Sequence, residues 1–279
     1  MKKITFYRGV LVTVLAFSLT ACSSTPTQTG LQNENVEGKE STEIHKEAEY
    51  EATHWSYEGE TGAEHWGSID PSFATCAEGT EQSPIDIELS DGELEKSVED
   101  IQINYSPTPM TVMNNGHTIQ VNDTTDKNSI VVEGKEYKLL QMHFHKPSEH
   151  QLNGLSFEME GHLVHKSSEG NLAVLGFLIT SGNENKELAE VWSKLPEERT
   201  KVDIPLDQTI DLATLLPEEK KSYLYKGSLT TPPCSEGVKW IVLEQPIELS
   251  REQIDAFSAI FPDNHRPVQP INNRELKKH

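Results

Sequence analysis

Positive charge is scarce in this chain. Its 24 Lys and Arg face 45 Asp and Glu, and the formal net charge is −21 at pH 7 with the histidines neutral. Such a surface repels phosphate, so nucleic acid is excluded as a partner. Long hydrophobic runs are also missing. The most apolar stretch, from Val10 to Ala21, is too short to span a bilayer, which takes ~20 residues. Cysteine is rare, and Cys22, Cys76 and Cys234 are the only three. Helix-period patterns are few, and no internal repeat is present. What remains is the composition of a soluble globular protein, 35% hydrophobic and 25% charged. At 279 residues the chain is long enough to bury a sizeable core.

The amino terminus reads as an export signal over residues 1–21. Lys2, Lys3 and Arg8 supply its positive region, the apolar run follows, and small residues lead to Cys22 in Leu19-Thr20-Ala21-Cys22. A cysteine directly after them looks like a bacterial lipobox, in which the Cys22 thiol takes a lipid and becomes the new terminus. An ordinary secretory signal with an incidental cysteine is the alternative. A lipid on Cys22 leaves an even pair. Cys76 and Cys234 can then form one disulfide in an oxidising compartment, constraining the unfolded chain by ~5 kcal/mol in the chain-entropy model. Two buried free thiols are the other reading. Residues 22–52 are Ser/Thr/Pro-rich and then Glu-rich, with too little apolar surface to offset ordering entropy. They are expected to form a disordered acidic tether, with one domain over 53–275 and a short tail, 276–279.

Within the domain, short apolar runs alternate with turn signals. "IQINYS", "TVMNNGHTIQVN", "SIVVEGKEYKLLQMHFH", "LSFEMEGHLVH", "NLAVLGFLIT", "YLYKGSLTTPP" and "VKWIVLEQPIEL" read as strands. Asn114-Asn115-Gly116 and Glu133-Gly134-Lys135 read as hairpin turns. Helices are expected at 185–195 and 250–261, the second with Ser250 as N-cap. The chain is therefore expected to be mainly β, a single domain with a large sheet and a few short surface helices.

The segment "QMHFHKPSEH", residues 141–150, concentrates three histidines and a glutamate. On a helix, residues two apart point ~200° away from each other. On a strand they share a face, so Gln141, His143 and His145 line one side while Met142 and Phe144 line the other. This is a two-imidazole bite for a transition metal. In "FEMEGHLVH" (157–165), Glu158, Glu160, His162 and Val164 share one face. A neighbouring antiparallel strand would bring His162 beside the first pair. If that segment were helical, His165 would take the place of His162, because i and i+3 meet on one helix face. His150 reads as a polar neighbour. Three imidazoles without cysteine or clustered Asp favour Zn²⁺, and three protein ligands leave the fourth position open for chemistry. Gln141 and Glu160 stand where they can accept the second ring N–H of the ligating histidines.

These segments, with "SLTTPPCSEGVKW" (228–240), "EQSPIDI" (81–87), "NNGH" (114–117), "LAVLGF" (172–177) and "NHRPVQPINNR" (264–274) in order, resemble the α-class carbonic anhydrases, bacterial branch. The match covers most of residues 54–272. The resemblance implies a mostly antiparallel, twisted central sheet of about ten strands and zinc-dependent interconversion of CO₂ and bicarbonate by a zinc-bound hydroxide. It implies His143, His145 and His162 as the zinc ligands. Gln141, Glu160 and the Asn264 carbonyl become their hydrogen-bond acceptors. Thr230 becomes the hydroxyl that accepts from the hydroxide and donates to Glu149. Val164, Val174, Leu229 and Trp240 become the CO₂ wall, with Thr231 in the same pocket. His117 becomes the proton shuttle and Tyr57 an organiser of its water chain. Arg266 is expected to pair with a carboxylate, and a Cys76–Cys234 disulfide to steady the Thr230 loop. Gly161 departs from the family, where a larger residue is usual, and is expected to loosen packing. The implied partners are CO₂ and bicarbonate, a membrane through lipid on Cys22, and a homodimer in keeping with bacterial relatives; the implied location is extracytoplasmic. A catalytically silent binding lipoprotein of the same fold, or a zinc esterase, would share these residues.

Overall fold

The computed structural model describes residues 54–88, 95–96 and 101–279. The export signal, Cys22 and the acidic tether lie outside the described residues. Fourteen strands occur among those described: β1 Asp86–Ile87, β2 Glu95–Lys96, β3 Ile101–Asn104, β4 Thr108–Asn114, β5 Ile119–Asp123, β6 Ser129–Val132, β7 Lys135–His145, β8 Gln151–Leu152, β9 Met159–Lys166, β10 Leu172–Ser181, β11 Ile204–Ile210, β12 Ser222–Ser228, β13 Glu236–Leu249 and β14 Lys277–Lys278. Twelve form one sheet in the order β11-β4-β5-β7-β9-β10-β13-β12-β14-β2, with β6 joining β7 and β3 joining β6. Its pairs are antiparallel except β10 with β13 and β14 with β2. The sheet is thus mixed and somewhat larger than the ten strands expected.

Local chemistry explains the turns. Glu133 and Gly134 both take positive φ, 53° and 73°, the conformation a two-residue hairpin needs. Between β4 and β5 the Asn114 side chain accepts from Gly116 N–H, and the Asn115 side chain accepts from the His117 and Thr118 N–H groups. That loop fixes the backbone beneath His117.

Strand β7 carries a bulge. Its pairing with β9 slips between Leu139 and Gln141, and Leu140 is left exposed. On a regular strand Leu139 would share a face with His143. Instead Leu139, Met142 and Phe144 enter one hydrophobic cluster. The extra residue resets the alternation, as bulges do, and turns Gln141, His143 and His145 to the other face.

That cluster also holds Leu163, Phe177, Ile254 and Phe257. It buries the sheet face opposite the histidines under α5, which spans Arg251–Ile260 as the last of five short α-helices among the described residues (α1 Trp66–Ile69, α2 Thr75–Glu78, α3 Ala189–Ser193, α4 Leu212–Leu215). Ser250 caps α5 in a reciprocal box with Gln253. The helix expected at 185–195 shrinks to α3. Asn185 is engaged by Gln253 through its N–H and carbonyl, which docks the segment on α5 instead of winding it. Strand β11 was not anticipated: Pro205, Asp207 and Gln208 interrupt its hydrophobic pattern, which an edge strand tolerates. The sheet also reaches into the segment 276–279 expected to be a tail, because Lys277 and Lys278 of β14 pair with Leu224 and Tyr223.

Candidate metal centre

Strands β7 and β9 place His143 opposite His162 and His145 opposite Glu160. Period two then brings all three imidazoles together. One nitrogen from each of His143, His145 and His162 lies within 4.8 Å of the others. His143 Nε2 and His162 Nδ1 are 3.3 Å apart, about the edge of a tetrahedron whose zinc–nitrogen bonds are about 2.0–2.1 Å. The second nitrogen of each ring is occupied. His143 Nδ1 donates to Gln141 Oε1 at 2.8 Å, His145 Nδ1 to the Asn264 carbonyl at 2.7 Å and His162 Nε2 to Glu160 Oε1 at 2.8 Å. His143 Nε2, His145 Nε2 and His162 Nδ1 are left to present lone pairs. His145 Nε2 is buried without any hydrogen-bond partner, a costly state that a metal ion would relieve. Donor type, spacing and the orphaned nitrogen all fit Zn²⁺ with a fourth position open.

Electrostatics favours the metal-binding form. Burial, reinforced by the other two imidazoles, holds His143 well below the usual histidine range. Burial pushes His145 down to about 4 and lowers His162 against the pull of Glu160. Neutral rings are the ones that ligate. Burial alone would raise Glu160, but His150 and His162 and their hydrogen bonds hold its carboxyl well below the usual carboxylate range. His165, the alternative third ligand, stays apart. Its Nε2 bonds the Tyr105 hydroxyl at 2.8 Å and its ring stacks on that tyrosine.

The residues expected to wall the site lie on neighbouring strands. Val164, Val174 and Trp240 sit side by side in register on β9, β10 and β13, and Leu229 packs against them. Thr230 and Thr231 follow β12. Glu149 is fully buried, and its Oε1 accepts from the Arg266 N–H at 2.8 Å. Burial raises its pKa, while His162, that N–H and the Thr230 hydroxyl each favour the ionised form. Cys76 and Cys234 form a disulfide, four residues beyond Thr230.

His117 is half-buried and stacked on Trp55, with ring centroids 3.7 Å apart. Burial, then His54 and Arg199, lowers it to about 4. The Tyr57 hydroxyl is buried without a partner, and its pKa is raised by burial, Glu149 and Asp263. Asn264 does more than expected. Beyond receiving His145, its side chain donates to the carbonyls of His117 and Phe144 at 3.0 Å each and accepts from Lys146 N–H.

Two expectations need correction. Among the described residues the Arg266 guanidinium pairs with no carboxylate. Nη1 donates to Gln82 Oε1 and the Ser83 carbonyl, and Nη2 donates to the Cys76 carbonyl. Gly161 leaves no loose packing either, because a Cβ there would come within 2.2 Å of the Phe177 ring. Sequence reasoning also missed Gly176, where a Cβ would crowd Glu160 Oε1 at 3.2 Å, and it left His150 without a role.

The sequence profile described as eukaryotic-type carbonic anhydrase matches residues 61–279. The chain is 44% identical over 225 residues to a carbonic anhydrase of Klebsiella pneumoniae, covering 80% of this chain and 90% of that one. It is 42% identical over 229 residues to a carbonic anhydrase of Nostoc, covering 81% and 86%. Among solved structures, the α-carbonic anhydrase of Thermovibrio ammonificans in complex with the inhibitor sulfanilamide superposes with a TM-score of 0.77 at 45% identity, covering 81% of this chain and 99% of that one.

Proposed function

Because the chain belongs to the eukaryotic-type, or α, carbonic anhydrase family, we propose that it interconverts CO₂ and bicarbonate at a zinc ion held by His143, His145 and His162, outside the cytoplasm and anchored through a lipid on Cys22. The observation that carries the metal reading is the buried, unpartnered His145 Nε2 facing two other imidazoles whose far nitrogens are already engaged. Zinc bound there would lower the pKa of its water to about 7, the established figure for carbonic anhydrases, so that hydroxide is available at neutral pH.

The protein's own residues do the rest. Val164, Val174, Leu229 and Trp240 offer an apolar wall to an apolar gas. Thr230 gives its hydroxyl proton to Glu149, which leaves its oxygen as an acceptor beside the open position. A group bearing a proton is therefore admitted and turned so that its lone pair faces the substrate carbon. Arg266 N–H holds the Glu149 carboxylate in place for this. The proton released in each turnover leaves through water past Tyr57 to His117. With burial, His54 and Arg199 lowering it to about 4, the His117 ring accepts protons poorly at neutral pH in the stacked position.

Stopped-flow CO₂ hydration tests the reading. Activity should vanish on zinc chelation, return with zinc and be blocked by sulfanilamide. Thr230→Ala should keep its zinc and lose about a hundredfold in rate. Zinc-loaded, folded protein without hydration activity would overturn the proposal, and wild-type turnover in Thr230→Ala would remove that residue's role.

A further inference from the structure

A proton that reaches His117 must still be taken up by a base from solution. The surroundings of the ring select among such bases. The loop beneath His117 is clipped to the segment 196–203. Asn114, buried at the end of β4, donates from Nδ2 to the Pro196 carbonyl at 3.0 Å. Its own carbonyl accepts from Thr200 N–H at 2.9 Å and from the Thr200 hydroxyl at 3.2 Å. Further along, Asp203 Oδ2 accepts from Thr111 Oγ1 of β4 and Asn122 Nδ2 of β5, at 2.7 Å each. The segment is thus tied down on both sides of Arg199. The Arg199 stem crosses Gly116, the residue before His117. A Cβ on that glycine would meet Arg199 Cδ at 3.3 Å and Nε at 3.7 Å. The stem is packed, but the charged head is not spent. Arg199 is exposed, and among the described residues its guanidinium donates no hydrogen bond and has no ion-pair partner.

The charge around the ring has one sign. Among the described residues, the charged groups that act on His117 are His54, its ring centroid 6.3 Å away, and Arg199. Both oppose a proton on the imidazole. No carboxylate is among them, in a chain with 45 acidic residues against 24 basic ones. Distant carboxylates are screened at physiological salt, where the Debye length is about 8 Å. The nearby cations therefore decide what approaches. A cationic species is turned away. An oxyanion is attracted, and it can take two N–H donors of a guanidinium in a forked contact. While bound, it also cancels the positive potential that opposes protonation of the ring.

We propose that Arg199 is the docking point for the final proton acceptor, a small oxyanion base that takes the proton from His117. In that step the imidazolium N–H bond breaks and its electron pair stays on the ring nitrogen. An O–H bond forms on the oxyanion, whose negative charge falls by one. The weaker attraction to Arg199 then favours its release. The inference deepens the proposed reaction and rests on it.

The test follows kcat for CO₂ hydration by full-length protein at saturating CO₂ and constant ionic strength, as buffer concentration is varied. Inorganic phosphate is compared with the neutral base 1,2-dimethylimidazole. The readout is the ratio of their second-order efficiencies, because a loosened loop or an altered metal site lowers both alike. The ratio of phosphate to neutral base should fall about fivefold in Arg199→Gln, the factor that one unit charge contributes a few ångströms away in water. It should fall further in Arg199→Glu and stay within about twofold of wild type in Arg199→Lys. A ratio unchanged in both Arg199→Gln and Arg199→Glu would overturn the inference. Binding is checked apart from turnover. With the metal position blocked by sulfanilamide, phosphate should shift the His117 ring signals in an NMR titration of wild type. Arg199→Gln should need about fivefold more phosphate for the same shift. Equal titrations in the two proteins would also overturn the assignment. If wild type hydrates no CO₂, the reaction reading falls, and this titration still decides whether Arg199 holds an oxyanion. Wild type that hydrates CO₂ with one buffer ratio shared by all three variants would remove only the Arg199 assignment.

Discussion

At His117, stacking and proton acceptance pull in opposite directions. The Trp55 ring lies parallel to the imidazole, 7° between planes, and covers one of its faces. A charged imidazole loses hydration there, and His54 and Arg199 add positive potential, so the ring holds a proton only below about 4. An unfolded histidine takes one up from about 6.5. Between those values the unfolded chain binds more protons than the folded one. This residue's contribution to stability is therefore complete above about 6.5 and is lost as pH falls toward about 4. Trp55→Ala should raise the His117 midpoint toward 6.5 and narrow that window. An NMR titration of the His117 ring in both proteins measures it. An unchanged midpoint would assign the shift to His54 and Arg199 instead of the stack.

At the scale of elements, the site depends on how closely strands approach. Gly161 on β9 faces Phe177 on β10 across the ladder, and the Phe177 ring occupies the space a side chain would use. The ring is fully buried, and Phe144 and Phe257 lie in the same cluster. Gly161→Ala forces a methyl into that ring. Overpacking of this kind costs about 1–3 kcal/mol, to be read as a lower urea midpoint. Phe177→Leu in the same chain should recover part of the loss, since the two positions share one volume. Equal and additive losses would mean that the space is not shared.

The same scale explains what could be read from the sequence. The face shared by His143 and His145 was legible because alternation is local, and the capped helix after Ser250 was legible because its box spans four residues. The bulge at Leu140 was not, since "KLLQMHFH" alternates acceptably on either side of it and only pairing with β9 exposes the slip. Strand β11 was hidden because an edge needs little hydrophobic pattern. His150 had no legible role because its partner Tyr225 lies 75 residues away in sequence and Ser83 a further step beyond. Arg266 was misread for a related reason. Two of its acceptors are the backbone carbonyls of Cys76 and Ser83, which no residue type advertises, and the third is the neutral Gln82 amide oxygen, 184 residues away in sequence.

For the whole molecule the dominant physical fact is charge, −21 on 279 residues. Among the described residues no helix is long and apolar enough to cross a membrane. Anionic lipid headgroups repel such a chain, so electrostatic adhesion cannot hold it to a bilayer. The proposed lipid on Cys22 would attach the protein through acyl chains, which contribute roughly 0.8 kcal/mol per buried CH₂. This makes the outcome of Cys22→Ser unusually sharp. The variant should move from the membrane pellet to the soluble fraction, while hydration per zinc stays at the wild-type value because the three metal-binding histidines lie between residues 143 and 162. Fractionation of cells expressing each form, with metabolic labelling by a radiolabelled fatty acid, measures both. A wild type that takes up no label would mean that Cys22 carries no lipid and that the leader is an ordinary secretory signal.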